Sequence, residues 1–212
     1  MTAVGTRATA LGFDFDHTLG LDHKLERAIG LEMAGASAER EIDLALAAFR
    51  YGVLPIDEAL RAAGIDPERF RERVLKHAPD FVTPLPGARE LLSDLRRNGV
   101  RVAVLSNGWS PLQEMKAKLV GFDGPVLVSE TMGVRKPHVE AFRRMEAALG
   151  TAARHIAYVG DDPISDVLGA VCAGMQGIWF DAEGRSYPQD MVPASARVSA
   201  LAEVLTFVQG PQ

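Results

Sequence analysis

The sequence predicts an α/β protein, with a Rossmann-like parallel sheet core, helices on both faces and an all-helical insertion. Three observations predict it. From Pro84 onward, short apolar runs alternate with helical patterns, the order that builds a parallel sheet. Between residues 20 and 82 the periodicity is helical. Three apolar runs end directly in polar or acidic residues: Asp14 and Asp16, Ser106-Asn107-Gly108, and Gly160-Asp161-Asp162. Ligands of such sheets sit beyond the carboxyl ends of the strands, so these groups are expected to share one crevice.

The opening run, "LGFDFDHTLG" from Leu11 to Gly20, is strand-like yet carries two carboxylates, although Asp is a poor strand residue. Alternation puts Asp14 and Asp16 on one face and Phe13 and Phe15 on the other. Two neighbouring like charges disfavour each other's ionisation, which points to a cation or a catalytic duty. Leu25, Ile29 and Met33, then Ile42, Leu46 and Phe49, predict two helices within 22–51, broken at Gly35 and Ser37. Asp66-Pro67 reads as an N-cap and a first-turn proline, opening a helix to about Lys76. On it Arg69, Arg71 and Arg73 alternate with Glu68 and Glu72, which reads as a solvated face. A helix from Gly87 to Asn98 ends at Gly99 and is followed by the strand "VRVAVLS". Ser110-Pro111 then opens a helix with Gln113 as capping-box partner. "PVLVS", "HIAYVG" and "GIWF" complete the sheet. The expected division is a core of residues 1–19 and 83–212 and a helical unit of 20–82.

Composition limits the function classes. The 212 residues, 47% hydrophobic and 24% charged, describe an ordinary globular chain rather than a disordered or fibrous one. A net charge of -5 gives no electrostatic encouragement to bind nucleic acid or an acidic membrane surface. The first residues lack a sustained apolar stretch and no later run approaches a membrane span, so a cytoplasmic location is expected. The single cysteine, Cys172, excludes an internal disulfide and a cysteine-rich metal site; it is expected to be a small buried thiol on a helix. His23, His77, His138 and His155 show no metal-ligand spacing.

Asp14, Asp16, Asp161, Asp162 and Asp166 in one cleft would repel one another unless neutralised, and a hard cation does this most simply. Oxygen ligands without thiolates favour magnesium over zinc. Lys136 can supply a second positive charge, and Ser106 with nearby backbone N–H groups can hold an anion. A phosphoryl group suits that mixture. Each residue also has a structural reading: strand-end solvation or capping for Asp14 and Asp16, a surface lysine for Lys136, and turn or N-cap chemistry for 106–108 and 160–163.

"DFDHT", "VLSNG", "RKP" and "GDDPISD", in that order, resemble the four motifs of the haloacid dehalogenase superfamily, in its phosphatase branch with a cap inserted between motifs one and two. The likeness covers 8–19 and 84 to about 180; the helical cap over 20–82 matches in position and rough size. The resemblance implies that Asp14 is the nucleophile of an aspartyl-phosphate and that Asp16 protonates the leaving oxygen and then activates water. It implies that Thr18 supports the first loop and that Ser106, Asn107 and Gly108 bind the phosphoryl group, with Lys136 neutralising it and the nucleophile. Magnesium is then held by the Asp14 carboxylate, the Asp16 carbonyl and Asp161, with Asp166 behind them. His17 departs from the pattern, standing where glycine is common; it either touches the leaving group or fills space.

The leading expectation is a magnesium-dependent hydrolase of a small phosphorylated metabolite, acting on neither nucleic acid nor membrane. A 2-haloacid dehalogenase would share fold and nucleophile but need neither the second acid nor the metal. A phosphotransferase or mutase would need the cap to exclude water and hold an acceptor, and a non-catalytic binding protein could lose Asp14 or Asp16 without penalty. Trp109 is read as lining the pocket or packing at a helix start, and Arg50 and Tyr51 as contacting substrate or ending a solvated helix.

Overall fold

In the computed structural model, which describes residues 7–208, the chain opens on β1 (Ala10–Phe13) and the two-residue β2 (Gly20–Leu21). Four helices follow: α1 (Leu25–Ala34), α2 (Glu39–Arg50), α3 (Ile56–Ala62) and α4 (Pro67–Phe81). The chain returns on β3 (Thr83–Pro84), which pairs antiparallel with β2. Then come α5 (Ala88–Arg97), β4 (Arg101–Ser106), α6 (Leu112–Leu119), β5 (Val126–Val128), α7 (Ser129–Met132), α8 (Val139–Leu149) and β6 (Ile156–Gly160). A wide helical turn over Pro163–Leu168 leads into α9 (Gly169–Cys172), and β7 (Gln176–Phe180) and β8 (Ala196–Val198) close the sheet. Residues 1–6 and 209–212 of the expected core lie outside the described residues.

The six strands β1 and β4–β8 are all parallel, in the order β5-β4-β1-β6-β7-β8. The chain therefore winds outward in both directions from the seam between β1 and β6, which is the switch point where such sheets bind ligands. Alternation along each strand sends residues to two cores. Leu11, Phe13, Val104, Ala157 and Val159 face one side, with Leu91 and Leu95 of α5 and Leu112 of α6. Ala10, Ala103, Leu105, Ile156 and Tyr158 face the other, with Phe142 and Met145 of α8. Phe142 meets the Tyr158 ring edge-on, centroids 5.1 Å apart.

The expected elements are present, with informative differences. β1 stops at Phe13, so Asp14 and Asp16 stand beyond its end rather than within it. Phe15 is nevertheless buried on the same side as Phe13, and its carbonyl accepts from the N–H groups of Thr18, Leu19 and Gly20, turning the chain tightly. α4 passes Lys76 and runs to Phe81. Pro79 removes one backbone donor, but the Val82 N–H still reaches the Ala78 carbonyl at 2.9 Å, and Phe70, Val74 and Ala78 anchor the helix in the core. α3 escaped notice because it is short, although Pro55 before it and Asp57 and Glu58 in its first turn are helix-start signals. β8, a three-residue edge strand, has too little pattern to read.

Three local expectations are corrected. Cys172 is exposed at the end of α9 rather than buried. Gln113 does not cap α6: the Ser110 hydroxyl bonds Glu114 and the Gln113 amide turns to Asp16. Two of the three arginines of α4 are not simply solvated, because Arg73 pairs with Glu32 and Arg71 pairs with both Asp57 and Glu130, whereas Arg69 is exposed.

The Asp66 side chain does cap α4, accepting from the Arg69 N–H at 2.8 Å. Asp66→Ala should therefore cost about 1 kcal/mol of stability. A urea denaturation series should show a lower midpoint at unchanged slope; an unchanged midpoint would mean the cap contributes nothing.

Candidate active site

Four strand ends and loops meet at the switch point. Asp14 continues the β1 ladder by one residue, donating its N–H to the Val159 carbonyl at 2.9 Å, which aims its side chain into the seam. Lys136, from the loop before α8, is 4% exposed and reaches the same place. Its ammonium donates to Asp14 Oδ1 at 2.7 Å, to Asp166 Oδ1 at 2.7 Å and to the Tyr158 hydroxyl at 3.0 Å. The Tyr158 hydroxyl in turn donates to the Leu105 carbonyl at 2.9 Å. All three ammonium protons thus have acceptors, as a buried charge requires.

Asp166 is held from behind, its Oδ2 accepting from the Asp162 N–H at 2.9 Å. Gly160 makes this fit possible: any Cβ there would collide with the Asp166 carboxyl. Asp162 caps the following turn through the N–H groups of Ile164 and Ser165. Asp161 points into the crevice, with its carbonyl held by Trp179 Nε1 and Arg185 Nη2, each at 3.0 Å.

Asn107 clasps Lys136 from both sides. Its Nδ2 donates to the Lys136 carbonyl and its Oδ1 accepts from the Lys136 N–H, both at 2.9 Å. The Asn107 amide is thus engaged in holding the lysine, while its backbone remains part of the 106–108 turn. Ser106 is buried at the end of β4, and the Gly108 carbonyl accepts from Ser129 Oγ at 3.2 Å. Thr18 is fully buried, and its hydroxyl has no partner among the described residues. His17 is exposed at φ 58°, so it does not fill the core, and its charge bears on Asp161 and Asp22; glycine suits that left-handed turn for backbone reasons.

Sequence reasoning missed Lys116. It is 1% exposed and its ammonium pairs with Asp16 Oδ1 and, at 3.0 Å, with Asp22 Oδ2. Gln113 Nε2 donates to Asp16 Oδ2 at 3.2 Å. The available signal was a lysine three residues after Gln113, on the inner face of an amphipathic helix.

Asp14, Asp161 and Asp166 place carboxylate oxygens within 4.8 Å of one another. Against these three acids stand the buried ammonium of Lys136 and the more exposed Arg185 guanidinium, 3.7 Å from Asp161 Oδ2, so the cluster has more acids than cations. An all-oxygen, electron-rich set of this kind fits a hard divalent cation. Burial is the main cause that pushes the Asp14 carboxyl up, reinforced by the charge of Asp166 and opposed by Lys136. Burial and then the charge of Asp14 push Asp161 up to about 6. Lys136 is lifted well above its ordinary value because Asp14 and Asp166 outweigh the effect of its burial.

Fold and crevice together define a Rossmann-like α/β protein with an acidic, lysine-bearing centre at the switch point of its sheet. The chain belongs to the haloacid dehalogenase-like hydrolases, whose family model matches residues 7–174. It is 32% identical over 145 residues to the pyrimidine 5'-nucleotidase YjjG of Escherichia coli, covering 66% of this chain and 63% of that protein. It is 37% identical over 156 residues to the phosphoserine phosphatase of Thermus thermophilus, covering 69% and 61%. The matches thus span about three-fifths of each relative's length. A HAD phosphatase from Thermococcus onnurineus superposes with a TM-score of 0.77 at 22% identity, over 95% of this chain and 98% of that one. Solved 2-haloacid dehalogenases share the same fold.

The raised Asp161 carboxyl makes the metal-free fold sensitive to pH. Between the ordinary value of 3.8 and about 6 the folded state keeps a proton that the unfolded chain has released, so stability falls as pH rises through that window. Asp161→Asn should remove the penalty, leaving the metal-free variant on the order of 1 kcal/mol more stable than its parent near pH 8 and equal to it near pH 3.5. Urea denaturation with a chelator present measures both. The same difference at both pH values would rule out the titration as its cause.

Proposed function

We propose that this protein is a magnesium-dependent phosphatase of a small phosphorylated metabolite, working through an aspartyl-phosphate on Asp14. The observation that carries the reading is the separate fixing of two carboxylates in one crevice, Asp14 by Lys136 and Asp16 by Lys116 and Gln113. Covalent phosphoryl transfer needs such a pair, a nucleophile and an independent acid–base. The nucleotidase and phosphatase names of the relatives support the same reaction class.

In the first step an Asp14 carboxylate oxygen attacks phosphorus while the bond to the leaving oxygen breaks, and Asp16 gives that oxygen a proton. In the second, Asp16 takes a proton from water as it attacks phosphorus, the bond to Asp14 breaks, and inorganic phosphate leaves. Lys136 balances charge on the nucleophile throughout, kept in place by Asn107 and Asp166. Ser106 and the turn through Gly108 would hold the phosphoryl oxygens, and Thr18 would support the first loop. Magnesium would sit on the Asp14 carboxylate, the Asp16 carbonyl and Asp161, with Asp166 behind. It would supply charge neutralisation for the phosphoryl oxygens.

Residues 20–82 act in this reading as a cap that selects the substrate. Supporting it, Trp109 Nε1 donates to Glu26 of α1 at 2.7 Å, and Arg71 of α4 stacks over Trp109 and reaches Glu130 at 2.5 Å. Arg135, beside Lys136, donates to the Phe49 carbonyl at 3.0 Å and to that of Arg50. The end of α2, with Tyr51 exposed, therefore lies next to the catalytic loop.

The deciding experiment assays a panel of phosphorylated metabolites and an aryl phosphate with and without magnesium. Hydrolysis should require the metal, and Asp14→Asn should lower kcat by at least about 10³-fold. Retained turnover in that variant would remove Asp14 from the nucleophile's role. Halide release from a 2-haloacid, without phosphatase activity, would establish a dehalogenase instead.

A further inference from the structure

Lys116 takes no bond-making or proton-transfer step in the chemistry described above, yet it is among the most deeply buried large side chains of the protein. It projects from α6, the helix that follows the 106–108 turn, and its ammonium lies 5.2 Å from the centre of the Phe15 ring. Burial alone would favour the neutral amine, but the charges of Asp16 and Asp22 reverse this and keep it protonated. Gln113 lies one turn earlier on the same helix face. Its Nε2 must face Asp16, because the opposite amide orientation would set oxygen against oxygen. Gly108 admits it at this distance, since a Cβ there would collide with the amide.

The two side chains divide the Asp16 carboxylate between them, Lys116 on Oδ1 and Gln113 on Oδ2. An aspartate has three staggered choices at its first torsion. With a side chain 35% exposed, Asp16 is not locked into one of them by burial alone. The two donors from α6 make the selection. Lys116 also holds Asp22, in the short link between β2 and α1, so one ammonium joins Asp16 to the point where the chain enters the helical segment.

We propose that Lys116, assisted by Gln113, is the positioning residue for Asp16: it holds the carboxylate in a single orientation at the leaving-group side of the crevice and ties that orientation to Asp22. The inference rests on the reading of Asp16 as the acid that protonates the leaving oxygen. A carboxylate misplaced by an ångström loses much of its effect on proton transfer, whereas binding and the nucleophile's attack depend on other groups.

The test uses leaving-group dependence. For a phosphatase forming a covalent intermediate, kcat/KM reports steps up to departure of the leaving group, and an alkyl phosphate needs a proton there far more than a nitrophenyl phosphate does. Lys116→Met should lower kcat/KM on an alkyl phosphate about 10–100-fold, with only a few-fold loss on the nitrophenyl ester. Half-saturation by magnesium should not change, because the carboxylates of Asp14 and Asp161 and the backbone carbonyl of Asp16 are untouched. Gln113→Leu, which removes a neutral donor and leaves the ion pairs intact, should show the same split at smaller size. It carries the test if Lys116→Met does not fold. Equal loss on both esters, or no loss on either, overturns the positioning role while leaving the phosphatase reading in place. Failure of the unaltered protein to hydrolyse either ester overturns the phosphatase reading, and this inference with it.

Discussion

The Lys136 ammonium, buried between Asp14 and Asp166, is the constraint on which the rest of the centre depends. Removing one partner from a buried ion pair costs roughly 3–5 kcal/mol, because the charge left behind is neither solvated nor paired. Here one lysine serves two acids, so its loss would strand both. The surroundings follow from that requirement. The Tyr158 hydroxyl accepts the third ammonium hydrogen bond, Asn107 grips the lysine backbone at two points, and the absence of a side chain at Gly160 lets Asp166 approach. These groups come from several elements, Tyr158 and Gly160 from β6, and they meet because β1 lies between β4 and β6.

Asp14 and Asp16, two residues apart, would repel each other if they shared one environment. The fold separates them by assigning each its own cation. Lys136 reaches Asp14 from the side of the sheet where Tyr158 packs against α8, and Lys116 reaches Asp16 from α6, which packs against the opposite side. The chain turns tightly at Phe15, and each carboxylate has its own hydrogen-bond partners. A nucleophile and an acid–base need this independence if they are to carry different protonation states during one reaction. The helical segment is joined to the same arrangement through Asp22, Glu26 and the Arg135 contacts at the end of α2.

The fold was largely legible in the chain. Apolar runs that alternate with helical periodicity dictate a parallel sheet, and an N-cap such as Asp66 is a local signal that survives into the structure. What escaped was either too short for a period to register, as with α3 and β8, or decided by packing rather than pattern, as with the passage of α4 through Pro79. The acids of the centre were visible because carboxylates directly after apolar runs contradict local propensity, and such contradictions mark function.

By itself, the sequence determined the strand ends at which polar groups gather, the order of the motifs, and the family to which those motifs belong. The resemblance already set Lys136 against Asp14; only the tertiary structure decided that Lys116 serves Asp16 and that Lys136 also holds Asp166. Lys136 and Asp166 are separated from Asp14 by 122 and 152 residues, and Lys116 from Asp16 by 100. No local pattern encodes pairings across such distances. They are set by which strands lie side by side and which helix face turns inward. For the same reason Asn107 belongs to Lys136 and Gln113 to Asp16: once buried, a polar group must find its partner among whatever the fold brings within reach.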